Sequence, residues 1–368
     1  MTIKIGLSID PLMPRFLDLA REAERVGIDS VWVAEFWALD AFTPLAAVAA
    51  VTERIGLATG IAQLGARTPA MLAMTAQGVQ TISDGRMILG IGVSGPQVME
   101  GWHGVTFERP VQRTRETIEI IKMITAGERL AYDGSVYRLP LPDSQGKAIR
   151  SRAETTPIPI YIASLGPANL RITGELADGW IGNSFFPATA DTFFDPIREG
   201  AAATGRSLDA IDRVVAVGLE FTDDDPVAVT AAGRRHADGY AFTFGAMGSA
   251  TKNFYNDAFA RQGYSDDVAD VQRLWAAGDR EAAAARVPIA IGLGTNLVGP
   301  PAAIRDQLIG YERCGVTTLR VGIDGDFDHK IAELERLMAL VDEAGQHVAT
   351  RSAGEDAAAV EPANSDTD

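Results

Sequence analysis

The chain has 368 residues, of which 33 are Lys or Arg and 49 are Asp or Glu, so its formal net charge is −16. This charge argues against a general affinity for nucleic acid or for an anionic membrane surface, because both favour basic proteins. With 46% hydrophobic and 22% charged residues, the composition is that of a globular protein, and no apolar run approaches the ~20 residues needed to cross a bilayer.

Cysteine and histidine are scarce. The single cysteine, Cys314, excludes an intramolecular disulfide, and the four scattered histidines, His103, His236, His329 and His347, form no recognisable metal-binding motif. We therefore expect no metal, and the last three histidines are expected at the surface of helices. The N-terminus shows no secretory pattern, which predicts a cytoplasmic protein.

The two ends of the chain differ in pattern. Residues 349–368 contain six Ala, five acids and one Arg without apolar periodicity, which predicts a disordered acidic tail. Residues 1–348 are expected to form a single domain.

In chain order, amphipathic helical stretches, glycines and short apolar runs alternate. Pro14 to Val26 has a helical apolar period, Gly27 ends it, and the run 28–34 follows as a strand. Strands that alternate with helices and lack polar alternation are buried on both faces, which favours a parallel sheet. The predicted strands are 3–9, 28–34, 56–62, 86–92, 158–163, 179–183, 213–221 and 316–323.

Eight such strands predict a (β/α)8 TIM barrel, with a doubly wound open sheet as the alternative. The chain exceeds a minimal barrel by about 100 residues. We place this excess in two insertions near 127–156 and 238–287, the first with a hairpin that turns at Asp133-Gly134, the second helical and covering the barrel mouth.

In such barrels the active face is formed by the C-terminal ends of the strands. The second predicted strand ends at Glu35, followed by Phe36 and Trp37. A carboxylate flanked by aromatic rings suits proton transfer near neutral pH, and the alternative is a carboxylate that only binds nearby backbone. Asp10 and Asn183 follow the first and sixth strands.

Two glycine-containing loops are candidates for cofactor binding. Gly90 and Gly92 belong to a G-x-G-x-x-G sequence, but Pro96 follows directly and no ribose-binding acid follows at the expected spacing. These glycines either let a cofactor ring approach the backbone or permit a turn. The sequence Ser164-Leu165-Gly166-Pro167 joins a strand to a helix that starts at proline, whose free N–H groups can hold a phosphate.

Trp102 and His103 lie in the long segment after the fourth strand. His103 is a candidate for lining the mouth, and the alternative is a solvent-exposed loop histidine.

The chain resembles a known family in the order and spacing of several motifs. Together they resemble the luciferase-like oxidoreductases from residue 3 to about 345, and 93–98 with 100–104 resemble the actinobacterial branch that depends on the deazaflavin coenzyme F-420. The motifs are Ser30-Val31-Trp32-Val33-Ala34-Glu35, Thr59-Gly60-Ile61, Ala66-Arg67-Thr68-Pro69-Ala70, Ile82-Ser83-Asp84-Gly85-Arg86, Leu89-Gly90-Ile91-Gly92 and Glu175-Leu176-Ala177-Asp178-Gly179-Trp180.

The resemblance implies a barrel, usually dimeric, with the cofactor ring at the mouth. It implies phosphate binding by Ser164, Leu165, Gly166 and Pro167, and a cis peptide bond between Gly60 and Ile61 behind the ring. From their positions at strand ends and in the loops beyond them, we expect Gly92 and Asn183 to contact the cofactor and Asp10, Phe36, Trp37 and Trp102 to line the substrate pocket.

The family's catalytic pair after the second strand is Asp-His, whereas this chain has Glu35-Phe36. Glu35 can keep the acid role, and His103 is the candidate for the missing histidine. The activity implied is hydride transfer between coenzyme F-420 and a small carbonyl, alcohol, imine or alkene substrate. The alternatives are an FMN-dependent monooxygenase and a non-catalytic flavin-binding barrel.

Overall fold

The core of the protein is a closed barrel of eight parallel strands. A computed structural model describes residues 3–247 and 253–358, with side chains as far as residue 343. The barrel strands are β1 (Lys4–Ser8), β2 (Ser30–Val33), β3 (Gly56–Thr59), β4 (Met87–Gly92), β5 (Ile160–Ala163), β6 (Gly179–Gly182), β7 (Asp212–Phe221) and β8 (Thr318–Gly322).

Each strand pairs in parallel with its neighbours in the chain, and β8 returns to pair with β1. In that closing pair, Lys4 lies opposite Thr318 and Leu7 opposite Val321. The closure confirms the TIM barrel and excludes the open doubly wound sheet. All eight predicted strands are present, with ends that differ by at most a few residues.

The alternation of side chains along the strands gives the barrel two apolar layers. Ile5 and Leu7 of β1 and their outward-facing equivalents pack beneath the helices in the main core. Inward-facing side chains fill the lower half of the barrel with a separate cluster that includes Trp32, Tyr161 and Val214. Trp32 and Tyr161 form a tilted ring pair with centroids 6.2 Å apart.

Fourteen helices surround and cover the barrel in the described part of the chain. They are α1 (Phe16–Arg25), α2 (Phe42–Ala49), α3 (Pro69–Ile82), α4 (Pro96–Gly101), α5 (Pro110–Thr125), α6 (Pro167–Leu176), α7 (Asp191–Ala203), α8 (Pro226–Ala246), α9 (Phe254–Phe259), α10 (Ser265–Ala276), α11 (Arg280–Arg286), α12 (Ile289–Gly294), α13 (Pro301–Arg313) and α14 (Phe327–Ala358).

Local sequence explains the helix boundaries. The buried face of α1 carries Leu19, Ala20 and Ala23, and the chain leaves the helix at Gly27, whose φ of 93° suits glycine. Helix α3 starts at Pro69, and the hydroxyl of Thr68 accepts the Met71 N–H.

The first insertion contains the expected hairpin, but its turn is wider than predicted. Its strands are Tyr132–Asp133 and Arg138–Leu139, so the turn spans 134–137 and is not centred on Asp133-Gly134. The reason is Glu116 of α5, whose carboxylate accepts the N–H groups of three of these turn residues. These contacts hold the pKa of Glu116 below its usual value, against the effect of burial.

The second insertion is helical and longer than expected, because α8 already begins at Pro226 and α12 ends at Gly294. The insertion has an apolar cluster of its own, in which the rings of Phe244 and Phe259 pack edge to face with their centroids 4.7 Å apart. It is joined to the barrel by Asn296, whose side-chain oxygen accepts the Gly218 N–H of β7 at 2.7 Å.

The C-terminal helix α14 continues to Ala358, so residues 349–358 of the predicted disordered tail are helical. Alanine has the highest helix propensity, and the packed first turns of α14 supply the nucleus on which this segment extends. The rest of the predicted tail, 359–368, lies outside the described residues.

Candidate active site

At the C-terminal end of the barrel, the inner face is formed by two glycines, an alanine and an isoleucine. A side chain placed on Gly92 of β4 would lie 3.1 Å from the Ile61 side chain and 3.3 Å from the Ala163 Cβ, so these groups already touch. Gly60, Ile61 and Ala163 are partly exposed although they belong to or adjoin the sheet. We call Gly60, Ile61, Gly92 and Ala163 the barrel floor.

The peptide bond between Gly60 and Ile61 is cis, as the resemblance implied. Three hydrogen bonds hold this bulge. The Gly60 N–H donates to the Val33 carbonyl at 2.8 Å, the Glu35 N–H donates to the Ile61 carbonyl at 3.0 Å, and the Gly60 carbonyl accepts Nη1 of Arg320 at 2.9 Å. The bulge is therefore tied to both β2 and β8.

Arg320 of β8 points into the barrel beside the floor. Its guanidinium carbon lies 5.8 Å from the centroid of the Trp32 ring, and its buried Nε has no hydrogen-bond partner among the described residues. Burial lowers the pKa of Arg320 to about 10, and Tyr255 of α9 is the ionisable neighbour that acts on its charge. The sequence analysis missed Arg320, although a single arginine in the apolar strand 316–323 is a visible signal.

Glu35 lies behind the floor and is fully engaged. The residue is 9% exposed, and its Oε1 pairs with Nη1 of Arg67 at 2.5 Å. Oε1 also accepts the Ala41 N–H at 3.4 Å, and Oε2 accepts the Gln63 N–H at 3.0 Å. This arrangement is the second of the two alternatives, a carboxylate that holds nearby backbone and a cation.

His103 is connected to Glu35 through Gln63. The amide nitrogen of Gln63 donates to the Glu35 carbonyl oxygen at 2.9 Å, which leaves its Oε1 facing Nε2 of His103 at 3.0 Å. A carbonyl oxygen only accepts, so Nε2 of His103 carries a proton in this contact. His103 is half-buried, and the structure brings it to the same side of the barrel as Glu35.

The loop after β5 has the expected helix start at its end. Gly166 is the N-cap residue of α6, Pro167 is the first helical residue, and no side chain caps the helix. A Cβ on Gly166 would touch nothing within 4 Å. The Ser164 hydroxyl turns away to Thr173, at 2.9 Å, so this loop offers backbone N–H groups to a ligand.

Arg261, which sequence reasoning also missed, reaches the same loop from the second insertion. Its Nη2 donates to the Leu165 carbonyl at 2.5 Å, and burial lowers its pKa. Nothing in the local sequence sets Arg261 apart from other surface arginines, because only the fold of the insertion brings it to β5.

The other predicted site residues lie at the mouth with exposed side chains. Phe36 and Trp37 are each more than half exposed and form an edge-to-face pair with centroids 6.1 Å apart. Trp102 is also exposed, as is Asn183, which accepts a hydrogen bond from the neighbouring Ser184. Asp10 is exposed and accepts the Leu12 N–H at 2.9 Å.

His236 was expected at the surface, which is wrong. Its side chain is 18% exposed, lies against Gly218 of β7, and places Nε2 3.1 Å from the Glu220 carboxylate. The second insertion causes this burial by folding over the end of β7. His329 is exposed as expected, and His347 lies beyond the described side chains.

These features fit a planar ring with a phosphate tail. Gly60, Ile61 and Ala163 leave the floor partly exposed, and the open N-terminus of α6 with Arg261 suits an anionic group beside it. Arg320 adds a positive charge at the floor, which suits a ring with anionic character. Fold and site together define a TIM-barrel protein of the flavin-binding or deazaflavin-binding class.

The chain belongs to the luciferase-like monooxygenase family, whose model matches residues 10–318. This finding confirms the resemblance found in the sequence. The match covers six of the eight strands in full, leaves out β1, and reaches only the first residue of β8.

Among similar proteins is one from Mycobacterium tuberculosis, provisionally named a coenzyme F-420-dependent oxidoreductase. It is 36% identical over 313 residues, 83% of this chain and 89% of the relative. A 5,10-methylenetetrahydromethanopterin reductase from Archaeoglobus fulgidus is 28% identical over 84% of this chain and 98% of its own. The solved coenzyme F-420-dependent tetrahydromethanopterin reductase from Methanopyrus kandleri has the same fold, with a TM-score of 0.74, 22% identity, and coverage of 92% and 98%.

None of the helices in the described part of the chain combines the length and the apolar character that a membrane crossing requires. In the same part of the chain, no three His, Cys, Asp or Glu side chains come together in a way that could hold a metal ion.

Proposed function

We propose that this protein is an oxidoreductase that transfers a hydride between coenzyme F-420 and a small organic substrate with a carbonyl, alcohol, imine or alkene group. The observation that carries the proposal is the partly exposed barrel floor beside an uncapped helix N-terminus. A relative 36% identical over most of both chains bears a name with this cofactor and activity.

In this proposal the cofactor ring lies on the floor, against Gly60, Ile61 and Gly92, and its phosphate binds the backbone of 164–168. Arg261 adds a cation at the phosphate, and Asn183 lies at the edge of the mouth. When bound, the deazaflavin accepts or gives the hydride. The protein's own task is to hold ring and substrate carbon in contact and to move one proton.

We assign the proton to His103 and a positioning role to Glu35. Gln63 fixes a proton on Nε2 of His103, which leaves Nδ1 as the ring nitrogen that exchanges a proton with the substrate. Glu35 has no free oxygen facing the floor in the described contacts, since Arg67, Ala41 and Gln63 occupy its carboxylate. It supports Gln63, and Gln63 in turn orients His103.

The substrate is proposed to enter past Phe36, Trp37, Trp102 and Asp10. The three aromatic side chains are exposed at the mouth, and exposed aromatic rings in one area are typical of a binding surface. An apolar entrance of this kind suits a small organic molecule better than a sugar phosphate.

The test is to add purified coenzyme F-420 and, separately, FMN to the protein and measure binding by absorbance, then hydride exchange with a panel of small carbonyl compounds and alcohols. We expect binding of F-420 and exchange without oxygen consumption. Binding of FMN alone with oxygen uptake would support the FMN-dependent monooxygenase, which the family's name favours. Binding without any turnover would support the non-catalytic barrel.

We further propose that the protein is a homodimer. Met71, Met74 and Ile82 are each more than half exposed on α3, and with Gly78 they form one face of the helix at spacings of three and four residues. A row of exposed apolar side chains fits the two-fold contact of a dimer. Sedimentation should give a dimer that M74E converts to monomer at an unchanged melting temperature, and a monomeric parent protein would contradict the proposal.

A further inference from the structure

Arg320 is a half-buried cation with a buried Nε, and the fold supplies no counter-ion for it among the described residues. The neighbouring arginines have partners. Arg67 forms an ion pair with Glu35, and Arg261 donates to the Leu165 carbonyl. For Arg320, one hydrogen bond joins Nη1 to the Gly60 carbonyl, while the buried Nε has no acceptor. The titratable group facing it is Tyr255, and burial raises the pKa of that phenol, so it stays neutral.

Such an arrangement is unfavourable in the protein alone. A buried donor without an acceptor costs about 1–3 kcal/mol, and an unpaired buried charge costs more. The bond to Gly60 and the contact with Trp32 position the guanidinium, but neither neutralises its charge. The missing partner is therefore an anion that comes to the floor from outside the chain.

The shape of the surroundings restricts this anion. Arg320 lies directly beside Gly60, because a Cβ added to Gly60 would collide with Nη1 of Arg320. The guanidinium is therefore in contact with the barrel floor. Gly60, Ile61 and Ala163 are partly exposed beside it, so a ligand that meets the cation there lies against these three residues. A delocalised ring anion fits this description, whereas a phosphate has its own site 164–168 on β5.

We propose that Arg320 is the counter-ion of the cofactor's ring system and stabilises the deprotonated, negatively charged form of the deazaflavin. This inference rests on the proposed function. The deazaflavin carries a ring hydroxyl whose proton leaves to solvent, and the resulting charge spreads over the ring carbonyl oxygens. FMN has no such hydroxyl, so Arg320 favours the deazaflavin over the flavin.

The experiment is a pH titration of the visible absorption of coenzyme F-420, free and bound to the protein, because ionisation of the ring hydroxyl changes this band. An opposite charge within about 4–6 Å lowers a pKa by about 1–3. We expect the bound coenzyme to titrate at least one pH unit below the free coenzyme. R320Q should abolish this difference, and R320K should keep most of it.

Three controls separate Arg320 from other causes. R261Q removes a cation at the phosphate loop and should weaken binding of F-420 and FMN alike without moving the ring pKa. Y255F should leave the ring pKa unchanged. R320Q should weaken F-420 binding about tenfold or more and FMN binding much less, because the FMN ring is neutral.

Equal titration of free and bound coenzyme in the parent protein would overturn the inference, as would an R320Q complex that titrates like the parent. If R320Q does not fold, the titrations of the parent protein and of R320K, each compared with that of the free coenzyme, still test the inference. Failure of the parent protein to bind F-420 at all overturns the proposed function as well, whereas binding with an unshifted ring pKa overturns the inference alone.

Discussion

The loop after β2 and the inner face of β8 each carry a charged residue next to the barrel floor. The two residues differ in how many of their polar atoms have partners within the protein. Glu35 on the loop is 9% exposed and has a cation and two backbone N–H groups on its carboxylate. Arg320 on β8 has one carbonyl acceptor and a buried nitrogen without a partner. Both residues contact the Gly60-Ile61 bulge, Glu35 through its own N–H and Arg320 through Nη1.

The difference separates a charge that completes the fold from one that is available to a ligand. A carboxylate whose lone pairs are occupied stabilises the protein and takes part in chemistry only through its neighbours. A cation without a counter-ion destabilises the free protein and is neutralised on binding. The proximity of a charged residue to a strand end does not by itself distinguish the two cases.

The pH dependence of stability expresses the same difference. The pKa of Arg320 in the folded protein, about 10, lies below its ordinary value of 12.5. The folded state therefore disfavours the charged form, and this destabilisation is present in full below about pH 10 and is relieved as the pH rises toward 12.5. At neutral pH Arg320 weakens the protein without ligand.

The largest effect is expected from E35A. Removing one partner of a buried ion pair costs about 3–5 kcal/mol, because Arg67 is left unpaired and the Gln63 and Ala41 N–H groups lose an acceptor. Chemical denaturation should show this loss in the free energy of unfolding. The matched variant E35Q keeps an acceptor and should lose less, and an E35A protein as stable as its parent would remove the distinction between the two charges.

Replacement of His103 should affect turnover strongly and stability little. A general acid or base contributes ~100-fold or more to the rate, so H103Q should bind the cofactor normally, turn over at least that much more slowly and lose one limb of its pH-rate profile. The exposed His329 provides the control H329Q, which should behave like the parent. If E35Q loses the limb while H103Q keeps it, the roles of acid and positioning residue are reversed.

G166V tests the phosphate site without disturbing the fold. The added side chain has open space around it, so the melting temperature should not change. If the phosphate lies at the start of α6, the branched side chain takes its place and the cofactor affinity should fall ~100-fold, about 2.7 kcal/mol. Titration by absorbance measures this affinity, and an unchanged value would place the phosphate elsewhere.

The smallest effect on stability is expected from R320M. Replacing an uncompensated buried charge by an apolar side chain of similar length is commonly neutral or stabilising, so the free energy of unfolding of the cofactor-free protein should change by no more than about 1 kcal/mol. Denaturation of R320M beside E35A compares the two charges directly. A loss as large as that of E35A would show that Arg320 is structural.

The barrel could be predicted from the sequence because its signals are local. Each strand is a short, largely apolar run, several of them after a glycine, and Gly27 or the Thr68-Pro69 pair marks a helix boundary regardless of what lies nearby. The helix start after Gly166 was predicted for the same reason, since a strand, a glycine and a helix-starting proline are contiguous in the chain.

The partners of the charged residues could not be predicted, because they are set by contacts distant in sequence. Arg67 lies 32 residues from Glu35, Gln63 lies 40 from His103, and Arg261 lies 96 from Leu165. The hairpin turn was misjudged for a related reason, as Glu116 of α5 rather than Asp133-Gly134 decides its width. A sequence shows that a charge exists near a strand end, but not whether the fold has already neutralised it.

The composition of the barrel floor has a consequence for how this protein can diversify. Gly60 and Gly92 offer no side chain to exchange, and a Cβ there would collide with Arg320 at Gly60 and crowd Ile61 and Ala163 at Gly92. In the proposed arrangement, substitutions that alter substrate preference would therefore come from the covering segments, above all the helices from Pro226 to Gly294. These helices form one stretch of the chain apart from the floor residues, so that an exchange of this stretch would change the substrate and leave the floor unaltered.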